Sequence, residues 1–292
     1  MNKYAFSVLG AGFCWGFMGF FTRHLAEYGI GSTGAIIVRC GIAALCFGLL
    51  ILFTGPAQFK IKLKDAWCFL GSGLLSLLFF TFCYFNAINM MSLSAAAILL
   101  YTAPAIVMLL SAVLFREKIT RRKLLALVLA FAGCCLVSGI AGGMTLSLQG
   151  LLFGLGSGVG YALYTIFSRY ALQRGYSSST VNFYSCALAA AGALIIWGPG
   201  DTFTCMVSSA GAVAWCLGVG AASCFLPYML YTYGLTGLEN SKASVLASVE
   251  PVVATLLGIF FYHEKMSLAA FAGVVLVMSA VVILSLKDKN AV

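Results

Sequence analysis

An all-α membrane protein is the fold class this sequence predicts, and three observations carry that expectation. Of 292 residues, 62% are hydrophobic and 9% charged, with a mean hydropathy of +1.03, far from the balance of a water-soluble domain. Apolar runs near 4–23, 33–53, 66–87, 94–115, 122–140, 150–170, 180–197, 211–233, 241–262 and 267–286 follow one another, each about long enough to cross a bilayer. Backbone amides and carbonyls find no water in lipid, so each run must be helical. The expectation is ten transmembrane helices.

The first run stands behind Lys3 like the apolar stretch of a secretion signal, but Phe20-Phe21-Thr22-Arg23 occupies the place of a small-residue cleavage site. It therefore reads as a retained helix, and it carries Trp15 among Gly10, Gly12, Gly16 and Gly19. The second run holds Arg39 six residues in, the third Tyr84, and the fourth Tyr101 and Pro104. A basic stretch, Arg116 to Lys123, precedes the fifth. The sixth repeats the crowding of glycines with Gly154, Gly156, Gly158 and Gly160, next to Tyr161 and Tyr164. Small residues four apart let helix backbones approach closely in lipid; the Lys-Ser/Thr ending of a phosphate loop is missing here. Tyr228 and Tyr231 mark the eighth run, and Glu250-Pro251 interrupts the ninth.

Lysines and arginines orient the helices. With the N-terminus cytoplasmic, 14 of the 17 fall in cytoplasmic segments, Arg23 and Lys265 fall opposite, and Arg39 lies within a span. That asymmetry predicts cytoplasmic termini in a cytoplasmic membrane. The net charge of +9 forms no continuous basic face with interleaved aromatics, so no nucleic-acid partner is expected. The 11 cysteines lie mostly within apolar runs, without a CxxC, and read as small hydrophobes rather than metal ligands. No metal and no cofactor is expected.

Two copies of one pattern run through the chain. A shift of 147 lays Ser94-Ala95-Ala96-Ala97 on Ser241-Lys242-Ala243-Ser244, Pro104 on Pro251 and Glu117-Lys118 on Glu264-Lys265; a shift of 146 lays Gly10, Gly12, Trp15, Phe21 and Arg23 on Gly156, Gly158, Tyr161, Phe167 and Arg169. Residues 1–143 and 144–292 are the expected halves. Five helices per half make the second copy run upside down relative to the first, the plan of many secondary transporters, with the substrate site between the copies near the midplane.

The segment Val249-Glu250-Pro251-Val252-Val253 followed by Tyr262-His263-Glu264-Lys265, repeated as Tyr101-Thr102-Ala103-Pro104 with Arg116-Glu117-Lys118, resembles the EamA pattern of the drug/metabolite transporter superfamily. Arg39 and the Trp15-Gly16 pair match it as well. Arg116 and His263 depart from it, standing where that family often has glycine. The resemblance implies a ten-helix metabolite carrier, commonly an exporter, for amino acids, sugars, nucleosides or cationic drugs.

The residues themselves supply the candidates. Glu250 is the one acid well inside an apolar run, which marks it as functional with a partner to be found; by depth that partner is Arg39, in an ion pair or bridged by substrate. Trp15, Tyr101 and Tyr161 are too deep to anchor at an interface and join Tyr84 as candidate cavity walls. Pro104 and Pro251, each mid-run, are candidate hinges, with fixed kinks as the alternative. An intramembrane hydrolase has no constellation, since His24 and His263 both lie at helix ends. A passive channel-like facilitator and a proton-coupled drug or cation exporter stay open beside the metabolite carrier. A small molecule and the bilayer are the expected partners, with a monomer sufficient and an oligomer open.

Overall fold

The computed structural model describes residues 2–91, 93–138, 147–263 and 266–285. The expected boundary after residue 143, and Glu264, Lys265, Lys287 and Lys289, lie outside them. The described residues are helical with no strand. In chain order the rods are α1 (Lys3–Glu27), α2 (Ser32–Thr54), α3 (Leu63–Met90), α4 (Leu93–Leu100 and Ala103–Phe115), α5 (Arg121–Val137), α6 (Leu148–Gln173), α7 (Ser178–Trp197), α8 (Ala210–Leu235), α9 (Asn240–Ala247 and Glu250–Tyr262) and α10 (Leu268–Ser285). Nine among the described residues are long and apolar enough to cross a membrane. The tenth, α5 (Arg121–Val137), is one residue shorter than α10 over its described length.

Local irregularities fall at matching places in the two halves. The third rod is π-helical over Gly71–Leu78 and the eighth over Ala221–Phe225; a shift of 147 brings the ends of these segments together. The fourth rod breaks at Tyr101-Thr102 and the ninth at Ser248-Val249. Both rods end on a left-handed residue, Arg116 (φ 57°) and His263 (φ 53°). Here lies the physical content of the departure from glycine noted above: the backbone keeps the left-handed stop that glycine makes easy, and a side chain endures it. Packing follows the same symmetry. Rod α3 lies on α6 as α8 lies on α1, α4 on α6 as α9 on α1, and α3 on α7 as α8 on α2.

Small residues set these contacts, because apolar side chains gain little by leaving lipid for one another. A Cβ on Gly133 would come within 2.7 Å of the Gly273 carbonyl oxygen, and one on Gly273 within 2.6 Å of that of Gly133, so α5 and α10 cross backbone to backbone. Gly12 and Gly158, equivalent by the repeat, lie against the two broken helices: a Cβ on Gly12 would meet the Ala247 oxygen at 2.8 Å, and one on Gly158 the Leu99 oxygen at 3.0 Å. Gly19 has nothing within 4 Å and takes no part in such packing.

One end of the bundle gathers the basic side chains. Glu117, just past α4, accepts from the Asn240 amide (2.7 Å) and the Ser241 hydroxyl (2.6 Å) at the start of α9, so equivalent helices run in opposite directions. At the same end Arg169 donates to Asn240 Oδ1 (2.6 Å) and to the Leu238 carbonyl, Lys123 pairs with Glu239 at 3.0 Å, and Asp65 holds Arg174 at 3.1 Å. Arg122 donates to the carbonyl of Ile283 in α10. Lys3 lies over Tyr4, which packs on Tyr233, so α1 begins where α10 finishes.

Candidate functional site

Two adjoining cavities lie between the halves. The first is walled by Trp15 of α1, Ser76, Leu77 and Phe80 of α3, Tyr161, Tyr164 and Thr165 of α6, and Tyr228 and Tyr231 of α8. The second is walled by Leu100, Tyr101, Ala103 and Pro104 at the break in α4, by Ser244, Ala247, Ser248 and Glu250 at the break in α9, and again by Tyr161. The Tyr161 ring is thus the partition between them. Each leaves space for about one water, so anything larger enters only when the helices part.

Aromatic packing builds the first cavity. The Trp15 indole meets Tyr228 and Tyr231 with ring centroids 5.3 Å apart and Tyr161 at 6.2 Å, and Tyr164 meets Tyr228 at 4.8 Å. Edge-to-face pairs of this kind are worth about 0.5–1.5 kcal/mol each beyond burial. The hydroxyls are fixed from behind: Tyr231 shares a 2.8 Å hydrogen bond with Thr165, Tyr164 donates to Asn182, and Asn182 donates to Thr232 at 2.9 Å. Ser76, fully buried in the π-helical stretch of α3, has a hydroxyl on the cavity wall with no partner among the described residues. π-Helical turns recur at functional sites because they re-aim a side chain.

The candidates read from sequence separate into those the cavities bring together and those they do not. Trp15, Tyr101, Tyr161 and Glu250 line the cavities. Tyr84 lines neither and stacks on Phe80 with centroids 5.9 Å apart. Arg39 lines neither: it is 5% exposed, donates to Met18 Sδ at 3.3 Å, and leaves Nε without a partner among the described residues. No ion pair joins Arg39 to Glu250 among the described residues. The expected direct pair is therefore absent, because Arg39 turns toward the sulfur of α1 and the Cys40 and Cys224 thiols.

The prolines also need correction. Neither Pro104 nor Pro251 kinks a continuous helix; each stands in the first turn of a new helical segment, after Thr102 and Val249 respectively. Proline suits that place, where its missing amide is not needed. Glu250 opens the second segment of α9, at the positive end of its dipole. Sequence reasoning missed the cavity role of Tyr164, Tyr228, Tyr231, Ser76 and Thr165. The repeat could have supplied Tyr228 and Tyr231, since they fall on the rod equivalent to α3, where Phe80 and Tyr84 stand.

A model of the EamA-like transporter family matches the chain twice, over residues 2–139 and 148–286. The chain belongs to this family. EamA-like relatives include an uncharacterized transporter of Archaeoglobus fulgidus, 31% identical over 200 residues that cover 68% of this chain and 70% of that protein. The Bacillus subtilis uncharacterized transporter YwfM is 25% identical over 97% of this chain and 94% of its own length. A solved crystal structure superposes with a TM-score of 0.79 over 97% of this chain and 96% of that one, at 18% identity, a likeness of fold. As an EamA-like transporter the chain is a multi-pass integral membrane protein of two repeats.

Proposed function

We propose that this transporter is a secondary carrier that moves a small organic metabolite, an amino acid or a compound like it, outward across the cytoplasmic membrane by alternating access. The carrying observation is the aromatic cavity between the halves. Its walls come from α1 and α3 of one repeat and α6 and α8 of the other, so rocking one repeat against the other opens or closes it. Rings supply apolar contact, and the unpartnered Ser76 hydroxyl offers a hydrogen bond that orients the ligand. Closure down to about one water favours a carrier over a standing pore.

Counterflow in proteoliposomes tests this. Preloaded amino acid should accelerate entry of the labelled compound, with saturation, and Tyr161→Ala should lower the rate at least tenfold while the folded yield holds. Flux that rises linearly with concentration, with no acceleration by preloading, means a channel. The orientation follows from the asymmetry of basic residues: on a cysteine-free background Leu63→Cys should label from the cytoplasmic side and Asp201→Cys from outside. Labelling of both from one side removes the assignment.

A further inference from the structure

Two serines at the same place in the two repeats have different fates. Ser76 and Ser223 stand 147 residues apart, each fully buried and each in a π-helical turn, Gly71–Leu78 of α3 and Ala221–Phe225 of α8. Ser223 donates to the Val219 carbonyl at 2.6 Å, four residues back in its own helix. Ser76 makes no such bond: its hydroxyl lies on the wall of the first cavity with no partner among the described residues. A hydroxyl inside an apolar helix ordinarily settles on the carbonyl one turn back, as those of Thr81, Ser185 and Thr232 do at 2.7 Å. Leaving a buried hydroxyl unbonded is costly, and alanine would fill the same place without that cost. Packing therefore does not account for the serine, whereas a hydrogen bond to something that visits the cavity does.

The rest of the wall narrows what that visitor is. No charged side chain stands on it, so an ionic group finds no counter-charge there. Tyr231 and Thr165 bond each other and Tyr164 bonds Asn182, which commits those hydroxyls to the protein. The rings meet edge to face, Trp15 on Tyr228 at 73° and on Tyr161 at 64°, Tyr164 on Tyr228 at 66°. Their faces are thus taken up by neighbouring edges and do not form the box of ring faces that an alkylammonium needs. A further ring joins such a cluster through the same edge-to-face contacts. It enters as Tyr161, the partition shared by both cavities, moves aside. Plain phenyl would leave Ser76 unbonded, whereas an O–H or N–H on the ring edge would bond it, since a serine hydroxyl both donates and accepts.

We propose that the first cavity receives an uncharged aromatic ring bearing a hydrogen-bonding group on its edge, a phenol or an indole, and that Ser76 is the residue that tells such a ring from plain phenyl. That the ring-bearing compound is carried rests on the carrier reading above; its recognition by Ser76 does not.

Tyrosine and phenylalanine differ by one ring hydroxyl, and thermal unfolding of the purified full chain with either, or with alanine, tests the site, since a ligand that binds the folded state raises Tm by mass action. Tyrosine should act at a half-saturating concentration about tenfold below that of phenylalanine, the size of one good hydrogen bond, and alanine should have no effect. Ser76→Ala should bring tyrosine and phenylalanine together without lowering the Tm of the ligand-free protein, because it removes an unbonded group. Ser223→Ala, in the matching turn, should keep the preference. Equal half-saturating concentrations in the wild type, no response to either ring, or loss of the preference in Ser223→Ala overturns the proposal. So does a Ser76→Ala protein with lower ligand-free Tm and an unchanged preference, the mark of a hydroxyl held by buried water alone. Counterflow on the same preparations separates the two readings. A Tm preference for tyrosine without counterflow of any amino acid removes the carrier and leaves the site, whereas counterflow indifferent to the ring and its hydroxyl removes the site and leaves the carrier.

Discussion

The two ends of the bundle are closed by different forces. At the basic end, Glu117 accepts from Asn240 and Ser241 while Arg169 and Lys123 tie the same turn of α9 to α6 and α5. At the other end, Phe20 and His24 of α1 meet Trp215 of α8 and Phe261 of α9, with the His24 ring stacked on the indole at 4.1 Å. Directional bonds to a half-buried turn fail abruptly when their geometry goes, and leave charges unpaired; ring contacts slide and re-form. On the proposed carrier reading, the basic end is expected to open as a step and the aromatic end by degrees.

Breaking the polar end should have the largest effect. Glu117→Ala removes the acceptor for the α9 amides and leaves Lys123, 4% exposed at its side chain, with Glu239 and the Lys118 carbonyl; a loss of about 2–3 kcal/mol is expected. Its measure is denaturant unfolding in detergent, joined to labelling of Ser244→Cys, which should become faster from the basic end. Unchanged labelling would show that the network is structural and not a gate. Trp215→Ala, at the opposite end, removes ring contacts of a partly exposed indole and should cost about 1–2 kcal/mol, without the jump in labelling. Equal stability losses for the two variants would erase the contrast between the ends. Tyr231→Phe is the smallest change, losing the Thr165 hydrogen bond for about 1 kcal/mol in thermal unfolding, and it should shift substrate preference more than stability.

Most of the architecture was legible in the sequence for a simple reason: lipid forces apolar runs into helices, and prolines and glycines repeated 146 or 147 residues apart mark where those helices break or touch. Trp15 and Tyr161 stood out by depth and by the repeat. The orientation of Arg39 was not legible, since depth along the membrane normal fixes one coordinate and the rotation of α2 is set by its neighbours. Depth brought Arg39 within side-chain reach of Glu250, but packing turns it toward Met18 and Cys224. The π-helical turns were equally hidden. Gly71-Ser72-Gly73 and Ala221-Ala222-Ser223 are small residues that tolerate a widened turn, and nothing local in them demands one. Tyr228 stood out in the eighth run, but its place on the wall was hidden for the same reason, since it depends on the register downstream of such a turn.

The backbone crossing of Gly133 and Gly273 has a consequence for biosynthesis. Rod α5 enters the membrane about 140 residues before the partner whose carbonyl fills its glycine face, a wait of roughly ten to thirty seconds at ordinary rates of translation. Throughout that interval lipid stands in for α10, and the first repeat is an unfinished object. Each repeat ends on a helix that completes the other, so the duplicated halves have become obligate co-folders: residues 1–143 expressed alone should insert, remain protease-sensitive, and recover resistance when residues 144–292 are supplied in the same membrane.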